Sequence, residues 1–236
     1  MIQRITLQVL FILKRSPIFD NLYNLYFDLT LLITMVVSLV HRGHKELQPI
    51  RVWLLYGVAD ELVDWVVKLS NPTAYHSYRA IHTNLETLIS LTLLYVFFNS
   101  IIPRTFFRIS MLVMYLSYLI ACAIIWFPLH HFKNFNGSLV GFNYFCIAIP
   151  CVFYFYDLLR SELETDLKKD PVFYVVCGIF CYYAVAVPFS ITYKILYDAT
   201  PGVMGFLIIT SNIFDLVLKI FIIKAFLCPV QELKYS

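Results

Sequence analysis

Residues 52–69 read VWLLYGVADELVDWVVKL, a stretch apolar enough to lie in a bilayer yet carrying Asp60, Glu61, Asp64 and Lys68. At about 100° per helical residue, those four fall within an arc of about 100°. Charge in hydrocarbon is costly, so such a face turns toward a bundle interior or a wet cavity and marks a functional site. The stretch therefore predicts a membrane helix with one polar face directed inward.

The rest of the chain agrees with that reading. Its 236 residues are 60 % hydrophobic and 14 % charged, where a soluble domain is about half apolar and a quarter charged. Seven spans can be drawn at 22–40, 52–69, 81–102, 106–129, 139–159, 172–196 and 204–227. Turn chemistry separates them: Gly43 and Pro49, Asn71-Pro72, Pro103, Asn136-Gly137, Asp170-Pro171 and Pro201-Gly202. The expected fold is all-α, a polytopic bundle forming a single integral membrane domain over 1–236. Residues 1–20 hold an apolar run too short to span, and are expected to lie as an interfacial amphipathic segment.

Orientation follows from the lysines and arginines of the connections. One side holds ten of them and the other seven, or four once the first twenty residues are set aside. The excess predicts an outer N-terminus and a cytoplasmic C-terminus in a bacterial inner membrane. Residues 157–171 then form the longest inner connection, a mixed-charge helical extension with Pro171 opening the next span; it is read first as a plain solvated helix end, with a docking handle for a cytoplasmic partner as the alternative. The net charge of +3 is small and scattered, so no nucleic-acid partner is expected. The six cysteines fall in or beside apolar spans and are read as small packing residues.

Further ionisable residues converge in depth with the first four. Arg79, His82, Glu86 and Ser90 share one face of the third span within about 80°, and Ser211, Asn212, Asp215 and Lys219 share one face of the seventh. Asp28 and Lys194 add to the outer half. This convergence predicts an outward-opening pocket for a small ligand or ion, formed by Asp60, Glu61, Asp64, Lys68, Arg79, His82, Glu86, Asp215 and Lys219. The competing arrangement is a structural network of neutralising pairs, Asp64–Lys68 and Asp215–Lys219, at i, i+4, with Arg79, His82 and Glu86 in a shallow interfacial network. Tyrosine and phenylalanine, 17 and 21 residues, are read as lipid-facing and interfacial packing.

His82 and Glu86 with Asp60 or Asp64 contain the donor types of a zinc sphere. Seven-helix zinc hydrolases of the ceramidase and adiponectin-receptor type would be the precedent. Those proteins also carry a late His-x-x-x-His pair, where this chain has Asp215 and Lys219, and His130-His131 has the wrong spacing for one helix face. No metal site, catalytic residue or cofactor is therefore expected. Phosphate-cradling glycine loops and nucleophile motifs are lacking as well.

Residues 159–183, LRSELETDLKKDPVFYVVCGIFCYY, combine a short charged helix, an Asp-Pro-aromatic opening and a small residue before an aromatic-rich helix. Together with 213–228, IFDLVLKIFIIKAFLC, this resembles the multi-helix membrane sensor modules of Bacteroidetes that often precede a histidine kinase. The resemblance implies a sensor or receptor-like protein. The sequence ends at Ser236 without a kinase, so the signal is expected to pass through a partner, with an oligomer as a further possibility. The alternative is a small transporter, channel or pore-forming effector of stress or phage defence. Orientation is directly testable: in a cysteine-depleted protein, Ser161→Cys should react with an impermeant maleimide only after the cytoplasmic face is opened. Labelling of intact cells would reverse the topology.

Overall fold

The structure, a computed structural model, describes residues 17–41, 43–70, 72–127, 136–160, 167–199 and 201–229, with backbone alone for 17–25, 27, 72–74, 76, 77, 80, 193–199 and 201–208. These residues form seven α-helices: α1 (Pro17–Val40), α2 (Gln48–Ser70), α3 (Pro72–Ile101), α4 (Thr105–Trp126), α5 (Gly137–Arg160), α6 (Pro171–Ala199) and α7 (Pro201–Phe226). Short 3-10 turns at Lys45–Leu47 and Leu167–Lys169 precede α2 and α6.

Sequence chemistry sets the helix starts. Proline opens α1, α3, α6 and α7, where its missing N–H would lack an intrahelical partner anyway. Asn136 caps α5 by accepting the Leu139 N–H at 3.1 Å. Asp170 caps α6 by accepting the Val172 N–H at 2.9 Å, while its other oxygen accepts the Tyr154 hydroxyl at 3.0 Å. Both α5 and α6 run through their internal prolines, Pro150 and Pro188. Every helix starts before the apolar stretch that announced it, α3 by the largest margin. α3 starts at Pro72 because nothing between Thr73 and Ala80 breaks a helix; hydropathy marks contact with lipid, and helicity needs none.

Four segments are long and apolar enough to cross a membrane among the described residues: Ile81–Ile101, Thr105–Trp126, Gly137–Arg160 and Pro171–Thr192. α2 falls outside this group because its charges weaken its hydropathy, and α1 contributes the shorter apolar piece Asp28–Val40. The outer surface carries apolar stripes at helical spacing, such as Leu29, Ile33, Val36 and Val40 on α1 and Ile109, Val113, Leu116, Ile120 and Ile124 on α4. Exposed apolar surface on this scale is compatible with an integral membrane protein. Residues 1–16 of the expected interfacial segment, the His130-His131 pair and 161–166 of the expected helical extension lie outside the described residues.

The helices pack as a ring. α1 touches α2, α2 touches α3, α3 touches α5, α5 touches α6, α6 touches α7, and α7 returns to α1. α4 stands outside, held against α3 and α5 by the stacked pairs Tyr95–Tyr115 and Phe107–Phe153, with ring centroids 4.9 and 4.5 Å apart. Within the ring, fully buried apolar residues gather toward the end that holds His44: Leu47 and Ile50, Phe97 and Ile102, Val175 and Ile179, Ile222 and Phe226. His44 ties the connection between α1 and α2 to the end of α7 there, its Nε2 lying 3.0 Å from the Cys228 carbonyl. Arg51 donates from Nε to the Ser38 carbonyl at 3.0 Å. All six cysteines are free, and four are buried, as packing residues would be.

The α6–α7 contact depends on one glycine. A Cβ at Gly178 would meet the Phe221 Cβ at 2.9 Å and the Leu218 carbonyl oxygen at 3.3 Å. At Gly57 the nearest atoms are Leu31 methyls at 3.6 and 3.7 Å. Overpacking costs about 1–3 kcal/mol, more than the ~1 kcal/mol that alanine gains in a helix. Gly178→Ala should therefore lower the melting temperature and Gly57→Ala should raise it or leave it unchanged, both read by fluorescence-detected unfolding in detergent.

Candidate ligand cavity among six helices

The one-residue connection between α2 and α3 positions the site. Asp60 and His82 each stand eleven residues from this turn, about 16 Å along their antiparallel helices, and the pairing brings them face to face. His82 Nε2 lies 2.8 Å from Asp60 Oδ1. The Tyr56 hydroxyl donates to the same carboxylate at 3.1 Å, and the Tyr78 ring packs on the His82 imidazole at 5.2 Å. One turn further along α3, Glu86 brings a carboxylate oxygen to within 4.8 Å of the Asp60 and His82 donor atoms.

Beside this group lies a cavity of about 280 Å³. Every helix of the ring borders it, and α4 does not. α1 contributes Leu31; α2 contributes Trp53, Tyr56, Asp60 and Glu61; α3 contributes Thr83, Glu86, Thr87 and Ser90. α5 adds Asn143 and Tyr144, α6 adds Tyr182 and Tyr183, and α7 adds Asp215 and Lys219. Polar groups cross-brace the wall: Asn143 donates to the Thr87 carbonyl at 2.8 Å, and Trp53 Nε1 donates to the Ser90 hydroxyl at 3.2 Å. Lys219 pairs with Asp215 at 2.7 Å and reaches the Thr30 hydroxyl at 3.4 Å.

The cavity unites Asp60, Glu61, Glu86, Asp215 and Lys219, with His82 adjoining, from the nine expected pocket residues. Three lie elsewhere. Asp64 accepts the Tyr75 hydroxyl at 2.8 Å, Lys68 lies 5.6 Å over the Trp65 ring, and exposed Arg79 lies 6.0 Å over the Tyr75 ring. In place of the proposed Asp64–Lys68 pair, Asp64 takes the Tyr75 hydroxyl from α3 and Lys68 the Trp65 ring on its own helix. Burial and the Asp64 carboxylate push the Tyr75 phenol up to about 12. Asp28 accepts the Trp65 indole N–H at 2.7 Å, away from the cavity, and the Lys194 side chain lies outside the described ones.

Comparison with known proteins returns no matching family model, no matching curated protein and no matching solved structure. The cavity must be understood from its own chemistry.

Sequence reasoning missed the aromatic wall. Tyr144, Tyr182 and Tyr183 cluster with ring centroids 4.9–6.4 Å apart and line the cavity, and Tyr118 is fully buried with its hydroxyl 3.4 Å from the Thr87 hydroxyl. Reading tyrosine wholesale as lipid-facing is therefore corrected; a buried phenol needs a partner, and these sit beside polar ones. The paired sequence Tyr182-Tyr183 and the polar Asn143 inside an apolar span were the available signals.

Charge decides what the cavity favours. Four carboxylates line it, and Lys219 is the lining cation, already engaged by Asp215. Asp60 and Glu86 are left with His82 as their nearest basic group. With carboxylates in excess and tyrosine faces beside them, the chamber suits a positively charged guest. Lys219→Met should destabilise the protein by up to about 3 kcal/mol, the low end for breaking a buried pair because Asp215 keeps part of its exposure. Adding Asp215→Asn should recover most of the loss; equal melting temperatures for the single and double variants would show that the pair carries no such coupling.

Proposed function

We propose that this protein is an integral membrane sensor that binds a small cation in the cavity and passes the resulting conformational change to a partner. In this reading all seven helices cross a bacterial inner membrane, the N-terminus is outside, and the connection at 157–171 faces the cytoplasmic partner. The observation that carries it is the cavity itself, a carboxylate-rich chamber bordered by every helix of the ring. A guest held there touches the walls of six helices, so its binding energy can favour one ring arrangement over another. The resemblance of 159–183 and 213–228 to Bacteroidetes sensor modules supports the same reading.

A receptor is favoured over a conduit by the packing beyond the cavity. Toward the His44 end the ring is filled by Leu47, Ile50, Phe97, Ile102, Val175 and Phe226, each no more than 1 % exposed. An ion path would need polar groups or water through this layer, and apolar packing supplies neither.

The test has two arms. In detergent, a panel of choline, putrescine, lysine and divalent metal chlorides should contain a compound that raises the melting temperature. Saturation at a hundred times Kd contributes about 2.7 kcal/mol, roughly 5–10 °C for a chain of this size. Glu86→Gln should abolish most of that shift while changing the unliganded melting temperature little. In proteoliposomes, sodium, potassium and proton fluxes should equal those of empty vesicles. Sustained flux would replace the sensor by a transporter or channel, and an unresponsive panel would remove the ligand.

A further inference from the structure

We infer that Asp60, His82 and Glu86 form an open binding site for a divalent first-row transition-metal ion at the wall of the cavity. Their donor atoms, one imidazole nitrogen and two carboxylate oxygens, all lie within 4.8 Å of one another. Tetrahedral or octahedral coordination at about 2.0–2.2 Å places neighbouring ligands about 3–3.5 Å apart. Rotation of Glu86, which is exposed to the cavity, supplies the remaining closure.

The geometry of His82 is the second observation. Its Nε2 lies 2.8 Å from Asp60 Oδ1, a contact that already turns the two donor atoms toward one another. The surroundings resemble a ligand-orienting shell: the Tyr56 hydroxyl fixes Asp60, and the Tyr78 ring fixes the imidazole plane.

Charge balance selects a dication. Asp215 and Lys219 neutralise each other, so Asp60, Glu61 and Glu86 carry the cavity's deficit, and a dication with neutral His82 brings the Asp60–His82–Glu86 group itself to zero net charge. In a low-dielectric interior that neutrality is worth far more than in water. Nitrogen and carboxylate donors together suit zinc or manganese and are a poor match for copper(I) or calcium. Three protein ligands leave coordination positions open, and the cavity lies on that side.

This inference rests on the cavity as a cation site and names its guest, and it can fail separately. Purified full-length protein, stripped with chelator and titrated with zinc or manganese chloride, should bind a single equivalent. Asp60→Asn, His82→Gln and Glu86→Gln should each weaken binding by at least about tenfold, whereas Cys177→Ser/Cys181→Ser should leave it unchanged. If a ligand variant fails to fold, wild-type protein loaded with cobalt(II) provides the readout. Ligand-field bands of a nitrogen–oxygen site are expected, and a thiolate charge-transfer band would move the metal to the cysteines and overturn the inference. Absence of stoichiometric metal, or retained binding in the ligand variants, would also overturn it. Should organic cations still stabilise such metal-free protein, the cavity reading would survive alone.

Discussion

Carboxylates placed along apolar helices must be enclosed, and that constraint organises the molecule. Even on the most lenient insertion scales an acid at the centre of a span costs about 2.5–3.5 kcal/mol. Asp60, Glu86 and Asp215 stand on three helices, so they can share an enclosure only if those helices surround a common space. The ring of α1, α2, α3, α5, α6 and α7 is that enclosure, and α4, whose sequence carries no acid, is left outside it.

The ring divides into two chemical zones. Toward the His44 end the contacts are apolar and the side chains are excluded from solvent, which gives the bundle its rigid packed part. Toward the end where α2 passes to α3 the helices hold a chamber in place of a core, with hydroxyls, amides and carboxylates bracing its walls. The polar zone therefore depends on the apolar one for its geometry. The close contact at Gly178 sets how α7 meets α6, and the same α7 face then presents Asp215 and Lys219 to the cavity.

Asp64 and Lys68 illustrate how the neighbourhood overrides a local rule. Their i, i+4 spacing is the geometry of a stabilising pair on an isolated helix. On the folded hairpin, Tyr75 offers Asp64 a hydroxyl at 2.8 Å and Trp65 offers Lys68 an aromatic face. Asp215 and Lys219 have the same spacing and do pair, because α7 presents them together to the cavity. Identical spacing produced two outcomes: α3 supplies the partner of Asp64, a neighbouring ring on α2 takes Lys68, and Asp215 and Lys219 keep each other.

What the sequence by itself determined was the helical architecture, the turn positions and the facial grouping of charges. Periodicity, proline and glycine are local properties, legible at Asn71-Pro72, Asp170-Pro171 and Pro201-Gly202 without knowledge of the fold. It also nominated Asp60, Glu61, Glu86, Asp215 and Lys219, since polar atoms in apolar spans stand out against their background. What only the tertiary structure decided was which faces meet. The inclusion of Tyr144, Tyr182, Tyr183 and Asn143, the exclusion of Asp64, Lys68 and Arg79, and the approach of Asp60 to His82 and Glu86 are properties of the ring. Each depends on helix rotation and register, and those are fixed by packing among residues distant in the chain, which no single-helix pattern encodes.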